Sequence, residues 1–270
     1  MEILGYILAT LIGLSLGVMG GGGSILTVPI LVYVLKFDPK QAIALSLAIV
    51  GATSLIGSFG HYKKGNINLK VAYLFGPFAM IGTFLGAKIS AYISGSAQLI
   101  FFALIMIVAS YFMFKGRSED DDIEEVKKLN ISLIIAEGII VGIVTGIVGV
   151  GGGFLIVPAL VLLAGIKMKE AVGTSLLIIS LKSFSGFYGY LNQVEVPWQF
   201  LGIFVVFTAI GILIGNKLVD HISNRKLKKG FAIFLVIMGF FILYKNRSQL
   251  NFSHNLIYSK NQLSSIVTSK

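Results

Sequence analysis

One stretch constrains this chain more than any other, because it occurs twice. GVMGGGGSILTVPILV at 17–32 returns 129 residues later as GIVGVGGGFLIVPALV at 146–161. Gly17, Gly20, Gly22, Gly23, Leu26, Val28, Pro29, Leu31 and Val32 each meet the same residue type in the second copy. Glycine weakens a helix by roughly 1 kcal/mol relative to Ala at each position. A cluster of glycines inside apolar sequence is therefore a poor plain membrane helix. The duplication predicts two broken helices whose freed backbone groups meet near the bilayer midplane and hold a small anion.

The apolar context is extensive. Of 270 residues, 56% are hydrophobic and 13% charged, with a mean hydropathy of +0.89. Repeated runs of spanning length define an all-α polytopic membrane protein. A membrane β-barrel would show short alternating segments instead. The net charge of +10 sits mostly in short loops between apolar runs, where basic residues orient the chain in the bilayer and do not indicate nucleic acid. There is no cysteine, which excludes disulfides, zinc thiolate sites and thiol catalysis. The opening MEILGYIL has neither a basic n-region nor a small-residue cleavage site, and reads as the first membrane segment.

The apolar runs cover about 3–35, 42–60, 71–93 and 99–114, and then 131–166, 171–191, 200–219 and 231–244. This divides the chain into a first membrane repeat at 1–115, a charged linker at 116–130, a second repeat at 131–245 and a polar tail at 246–270. The same offset aligns Lys40 with Lys169, Ala42 with Ala171, Ser46 with Ser175, Ser54 with Ser183, and GTFLGAK at 82–88 with GILIGNK at 211–217. The GxxxG spacings Gly82/Gly86 and Gly211/Gly215 suit close helix packing.

Charge placement separates two topologies. If each glycine stretch crosses the membrane once, the basic residues divide almost evenly between the two sides. If each enters, turns and leaves by the same side, the halves become inverted repeats. The loops at 61–70, 115–130, 166–170 and 217–229 then share one side with 14 basic residues, against five on the other before the tail. Only the second arrangement obeys the positive-inside rule. It predicts a multi-pass protein of the cell membrane with extracytoplasmic termini and a cytoplasmic linker.

The glycines allow positive φ and close backbone approach, so Gly20, Gly22 and Gly23 with Ser24, and Gly149, Gly151, Gly152 and Gly153, are candidate substrate-binding positions. Each following half-helix presents its positive dipole end to an anion. The competing use is tight helix packing alone. Pro29 and Pro158 are given a structural role in shortening or kinking those half-helices. Lys182 lies near the middle of an apolar run, where a charge costs about 2.5–3.5 kcal/mol. It is either the main substrate contact or a packed ion pair, with Glu137 as the nearest candidate partner; the aligned residue in the first half is Thr53. Glu137 is either solvated near the interface or a carrier of a coupling proton. Ser46, Ser175 and Ser183, together with Ser54 and Thr174, can donate to an anion or bond back within their own helices. No His, Asp and Glu cluster has metal-ligand spacing, and no nucleophile–base pair is visible. The expectation is therefore no metal, no cofactor and no enzyme.

With its doubled G-x-x-G-x-G-G-x-x-L-x-V-P-x-L-V motif, the chain resembles the TauE/SafE family of sulfite and organosulfonate exporter-like permeases over essentially everything up to Tyr244. The resemblance implies a secondary transporter for a small, sulfur-containing anion. Paired helix N-termini and Lys182 are consistent with an anion, though they do not name sulfur. The partners expected are the anionic substrate and the lipid bilayer, not nucleic acid; substrate identity, transport direction, coupling ion and oligomeric state are left open. The alternative from another class is a membrane receptor or assembly protein that keeps the fold without transporting.

Overall fold

The computed structural model describes residues 2–115, 131–149, 153–162 and 165–247. Among them are ten α-helices and no strand: α1 (Glu2–Met19), α2 (Gly22–Pro29), α3 (Pro39–Lys63), α4 (Leu69–Ile89), α5 (Gly95–Lys115), α6 (Ile131–Val148), α7 (Gly153–Leu162), α8 (Met168–Tyr190), α9 (Trp198–Leu218) and α10 (Asn224–Lys245). Six of the described helices, α3, α4, α5, α8, α9 and α10, are long and apolar enough to cross a membrane. The linker at 116–130 and most of the tail, with Gly151 and Gly152, lie outside the described residues.

Local sequence sets the boundaries. Asp38 caps α3 by accepting the amide of Lys40 at 3.0 Å, with Pro39 in the first turn where its missing N–H costs nothing. Asn68 caps α4 by accepting the amide of Val71 at 3.1 Å. These polar turns extend α3 and α4 beyond the apolar runs that announce them. Pro29 ends α2, and the backbone continues as a π-helical turn over Ile30–Val34.

The first glycine stretch is a hairpin. After the break at Gly20 and Gly21, α2 folds back along α1, so that a methyl group added to Gly23 would strike the Ile12 carbonyl and the Leu16 side chain. At the far end of the return, Leu35 Cδ2 would sit 3.4 Å from a methyl on Gly5. The chain thus comes back to the end of the bundle at which it began.

Glycine decides which helices touch. Gly82 and Gly86 of α4 meet the backbone of α6 at Gly142 and Gly146, and Gly211 and Gly215 of α9 meet α1 at Thr10, Leu14 and Gly17. Any side chain at these positions would push the backbones apart. The two most enclosed helices, α3 and α8, run antiparallel through the middle: Gly57 faces Leu176, Gly51 faces Ser183, and Gly186 faces Leu47. Outside them, α5 packs on α10.

Hydrogen bonds identify the two ends of the bundle. At one, Lys40 Nζ donates to the Ala91 carbonyl at 3.1 Å, Gln41 Nε2 donates to the Glu195 carbonyl at 2.9 Å, and Asn246 donates to Tyr33 Oη. At the other, Asn68 Nδ2 donates to Glu170 Oε1 at 2.9 Å and the Asn68 amide donates to Thr174 Oγ1 at 2.9 Å. The basic stretches 61–70, 166–170 and 217–229 gather at this second end.

Candidate functional site

The glycine breaks touch each other. A methyl on Gly153, the first residue of α7, would collide with Gly21 Cα and with Ile179 Cδ1 of α8. Gly20 and Gly149, 129 positions apart, both adopt left-handed backbone, with φ of +68° and +65°. Each closes the helix before it through its amide, Gly20 to the Leu16 carbonyl and Gly149 to the Thr145 carbonyl, both at 2.8 Å. Each also presses on the central helix nearby. Gly20 lies against Val172 and Ser175 of α8, and Gly149 lies against Ile43 of α3.

Beyond the first break, Ser24 is buried and returns its hydroxyl to the Gly21 carbonyl at 2.6 Å. The amide of Gly23, in the first turn of α2, makes no backbone hydrogen bond among the described residues. It is an orphan donor of a helix N-terminus, held here in the protein interior.

Lys182 is fully buried on α8. Its ammonium donates to Thr145 Oγ1 at 2.7 Å, and the Thr145 hydroxyl donates onward to the Gly142 carbonyl at 3.1 Å. Among the described residues no carboxylate lies within ion-pairing reach of it, so Glu137 is not its partner. One Glu137 oxygen is itself buried without a hydrogen bond, two turns before Thr145 on the same helix. Thr145 therefore serves two groups at once: its carbonyl holds the Gly149 amide and its hydroxyl holds the charge.

The hydroxyls divide into two sets. Ser175 bonds back to the Val172 carbonyl at 2.8 Å. Ser46, Ser54 and Ser183 are buried on α3 and α8, and their Oγ atoms have no hydrogen-bond partner among the described residues. Buried hydroxyls without a partner are uncommon in folded proteins. The buried cation on α8 and these hydroxyls on α3 and α8 thus lie on the two central helices that the glycine breaks press against.

Sequence reasoning overlooks several of these groups. Thr145 carried a readable signal, as a polar residue one turn before the second break where the first half has Leu16. Tyr190 did not. Its hydroxyl reaches the carbonyls of Gly146 and Ile147 at 3.1 and 3.3 Å, and Gln98 Nε2 donates to the same oxygen at 3.1 Å. Together they satisfy carbonyls that α6 leaves open where it breaks.

Six helices long and apolar enough to cross a membrane, with two interrupted ones packed against the central pair α3 and α8 and a fully buried Lys182, make this a multi-pass helical membrane protein. The chain belongs to the family described as sulfite exporter TauE/SafE, whose model matches residues 6–242. It is 30% identical over 245 residues to a probable membrane transporter protein of Xylella fastidiosa (strain 9a5c), covering 89% of this chain and 94% of that one. The probable membrane transporter protein YdhB of Bacillus subtilis (strain 168) is 27% identical over 240 residues, or 87% and 97% of the two chains. The probable membrane transporter protein MJ0441 of Methanocaldococcus jannaschii is 28% identical over 259 residues, 87% of this chain and 94% of that relative. No solved structure matches the chain.

Proposed function

We propose that the protein is a secondary transporter for a small, sulfur-containing anion such as sulfite or an organosulfonate. The observation that carries this reading is Lys182, a buried ammonium bonded not to a carboxylate but to the hydroxyl of Thr145, which lies one helical turn before the second glycine break. A charge in that position is costly unless a ligand of opposite sign completes it. Ser46, Ser54 and Ser183 add neutral donors, and the first amides of α2 and α7 add dipole ends. The family name supplies the sulfur.

The halves are read as inverted repeats that rock against each other in alternating access. Supporting this, α4 packs on α6 and α9 on α1 through glycines that align at the 129-residue offset. The end that gathers the basic stretches is assigned to the cytoplasm by the positive-inside rule, which leaves both termini outside. Glu137, with its unpartnered buried oxygen, is the residue assigned to a coupling proton.

The test is uptake of radiolabelled sulfite and of a small organosulfonate into proteoliposomes under imposed ion gradients. The wild-type protein accumulates at least one of them. Lys182→Gln lowers binding by about tenfold or more, the worth of a charge-assisted hydrogen bond. Glu137→Gln leaves binding intact but removes the response to a pH gradient. A protein that moves no anion under any gradient, and binds equally well without Lys182, would overturn the reading.

A further inference from the structure

Two inter-helix straps, one at each end of the bundle, occupy positions 129 residues apart. Lys64 caps the C-terminal end of α3, and its Nζ donates to the Asn216 carbonyl of α9 at 2.7 Å. Asn216 is buried and returns its Nδ2 to the Gly57 carbonyl of α3 at 2.9 Å. Gln193 follows α8, and its Nε2 donates to the Ala87 carbonyl of α4 at 2.9 Å and to the Gly189 carbonyl of α8 at 3.1 Å. The offset that relates Lys64 to Gln193 also relates Ala87 to Asn216 and Gly60 to Gly189. Each of those two glycines lies in close contact with the outer helix that it faces. A methyl on Gly60 would lie 2.8 Å from Asn216 Nδ2, and a methyl on Gly189 would lie 2.8 Å from Ala87 Cβ.

Each strap joins a central helix of one half to an outer helix of the other. Movement of the halves that opens either end must part the strap there, and both are made in this structure. We propose that Lys64 and Gln193 are the two gates of the transport cycle, and that this conformation is the one closed at both ends. The inference rests on the transporter reading and adds to it which contacts break and where. The gates are unequal in strength: an ammonium donor to a carbonyl is charge-assisted, and a carboxamide donor is not. The Gln193 end therefore opens more often at rest.

The chain has no cysteine, so an introduced thiol reports alone. Ser183→Cys places it on α8, buried and without a hydrogen bond to lose. Labelling by a membrane-impermeant thiol reagent, applied to each face of reconstituted vesicles, is expected to be faster from the Gln193 end. Adding Lys64→Met raises the rate from the Lys64 end by about tenfold, and adding Gln193→Leu raises it from the Gln193 end by about threefold. Equal effects from both ends, or effects at the wrong end, overturn the proposal.

Cross-linking guards against variants that merely misfold. In a chain that keeps Ser183, the cysteine pair Lys64→Cys with Asn216→Cys, or Gln193→Cys with Ala87→Cys, is bridged by a short, reducible bifunctional thiol reagent. Either bridge stops uptake, and reduction restores it. Uptake that continues through both bridges overturns the gates. A parent protein that takes up no anion counts instead against the transporter reading, while the labelling rates still judge the straps.

Discussion

The hydroxyls of Thr53 and Thr208 lie 2.6 Å apart, joining α3 to α9. Thr53 aligns with Lys182, which joins α8 to α6 through Thr145. The partners are not equivalent, since Thr208 aligns with Ala79 and Thr145 with Leu16; the aligned positions 53 and 182 thus bond to different helices, neutral in the first half and charged in the second. Thr208 also donates to the Val205 carbonyl at 2.9 Å, so Thr53 supplies the hydrogen shared between the two hydroxyls.

That pairing gives a thermodynamic cycle. Thr53→Val and Thr208→Val should each lower unfolding free energy by about 1 kcal/mol. The double variant should lose clearly less than the two together, because the second removes a bond already gone. Denaturant unfolding in detergent micelles measures it, and strict additivity would mean the hydroxyls do not interact.

Replacing Lys182 by methionine should separate stability from function. A buried charge replaced by an apolar chain of similar length leaves a protein as stable as before or more so. Thr145 retains its bond to the Gly142 carbonyl, so no new orphan is created. Lys182→Met should keep or raise the melting temperature while abolishing anion uptake. A steep fall in melting temperature would show that the charge is held for packing.

The glycine breaks should tolerate no side chain. At Gly149 a methyl would be driven into Ile43 Cγ2, on top of a left-handed backbone that disfavours Cβ by about 1–2 kcal/mol. Gly149→Ala should therefore cost more than about 2 kcal/mol once overpacking is added. Gly65 has φ of +70° but open space around it, and Gly65→Ala should cost only the backbone share, about 1 kcal/mol. Thermal unfolding of the two variants side by side tests the difference.

A similar contrast tests helix packing. Gly86→Val would wedge α4 away from the Ile143 carbonyl and Gly146, with an expected loss of about 1–3 kcal/mol. Gly202→Val on α9 meets nothing and should stay within about 0.5 kcal/mol of the parent.

Much of the architecture can be read from the residues themselves. Helix breaks at Gly20 and Gly149 follow from glycine clusters that no continuous apolar helix needs. Gly82, Gly86, Gly211 and Gly215 announce close approach because side chains are missing where neighbours would be. The burial of Lys182 follows from its distance to either end of an apolar run. What pairs with what is less legible. Thr145, Tyr190, Gln98 and Lys64 reach partners through tertiary geometry, and several of those partners are backbone carbonyls, which every residue carries alike. Hydropathy also cannot distinguish a hairpin from one long span between 3 and 35; the folding of Gly23 onto Ile12 and Leu16 decides it.

The open amide of Gly23 bears on how this protein can be studied and how it can change. Every amino acid except proline carries a main-chain donor, so a conventional alanine scan would register crowding at this position and stay blind to the hydrogen bonds. Swapping single peptide links for esters, which deletes the N–H and spares the shape, is the perturbation that would expose them. For the same reason, lineages that alter the cargo should do so through the side chains around the breaks, leaving the breaks themselves as common inheritance.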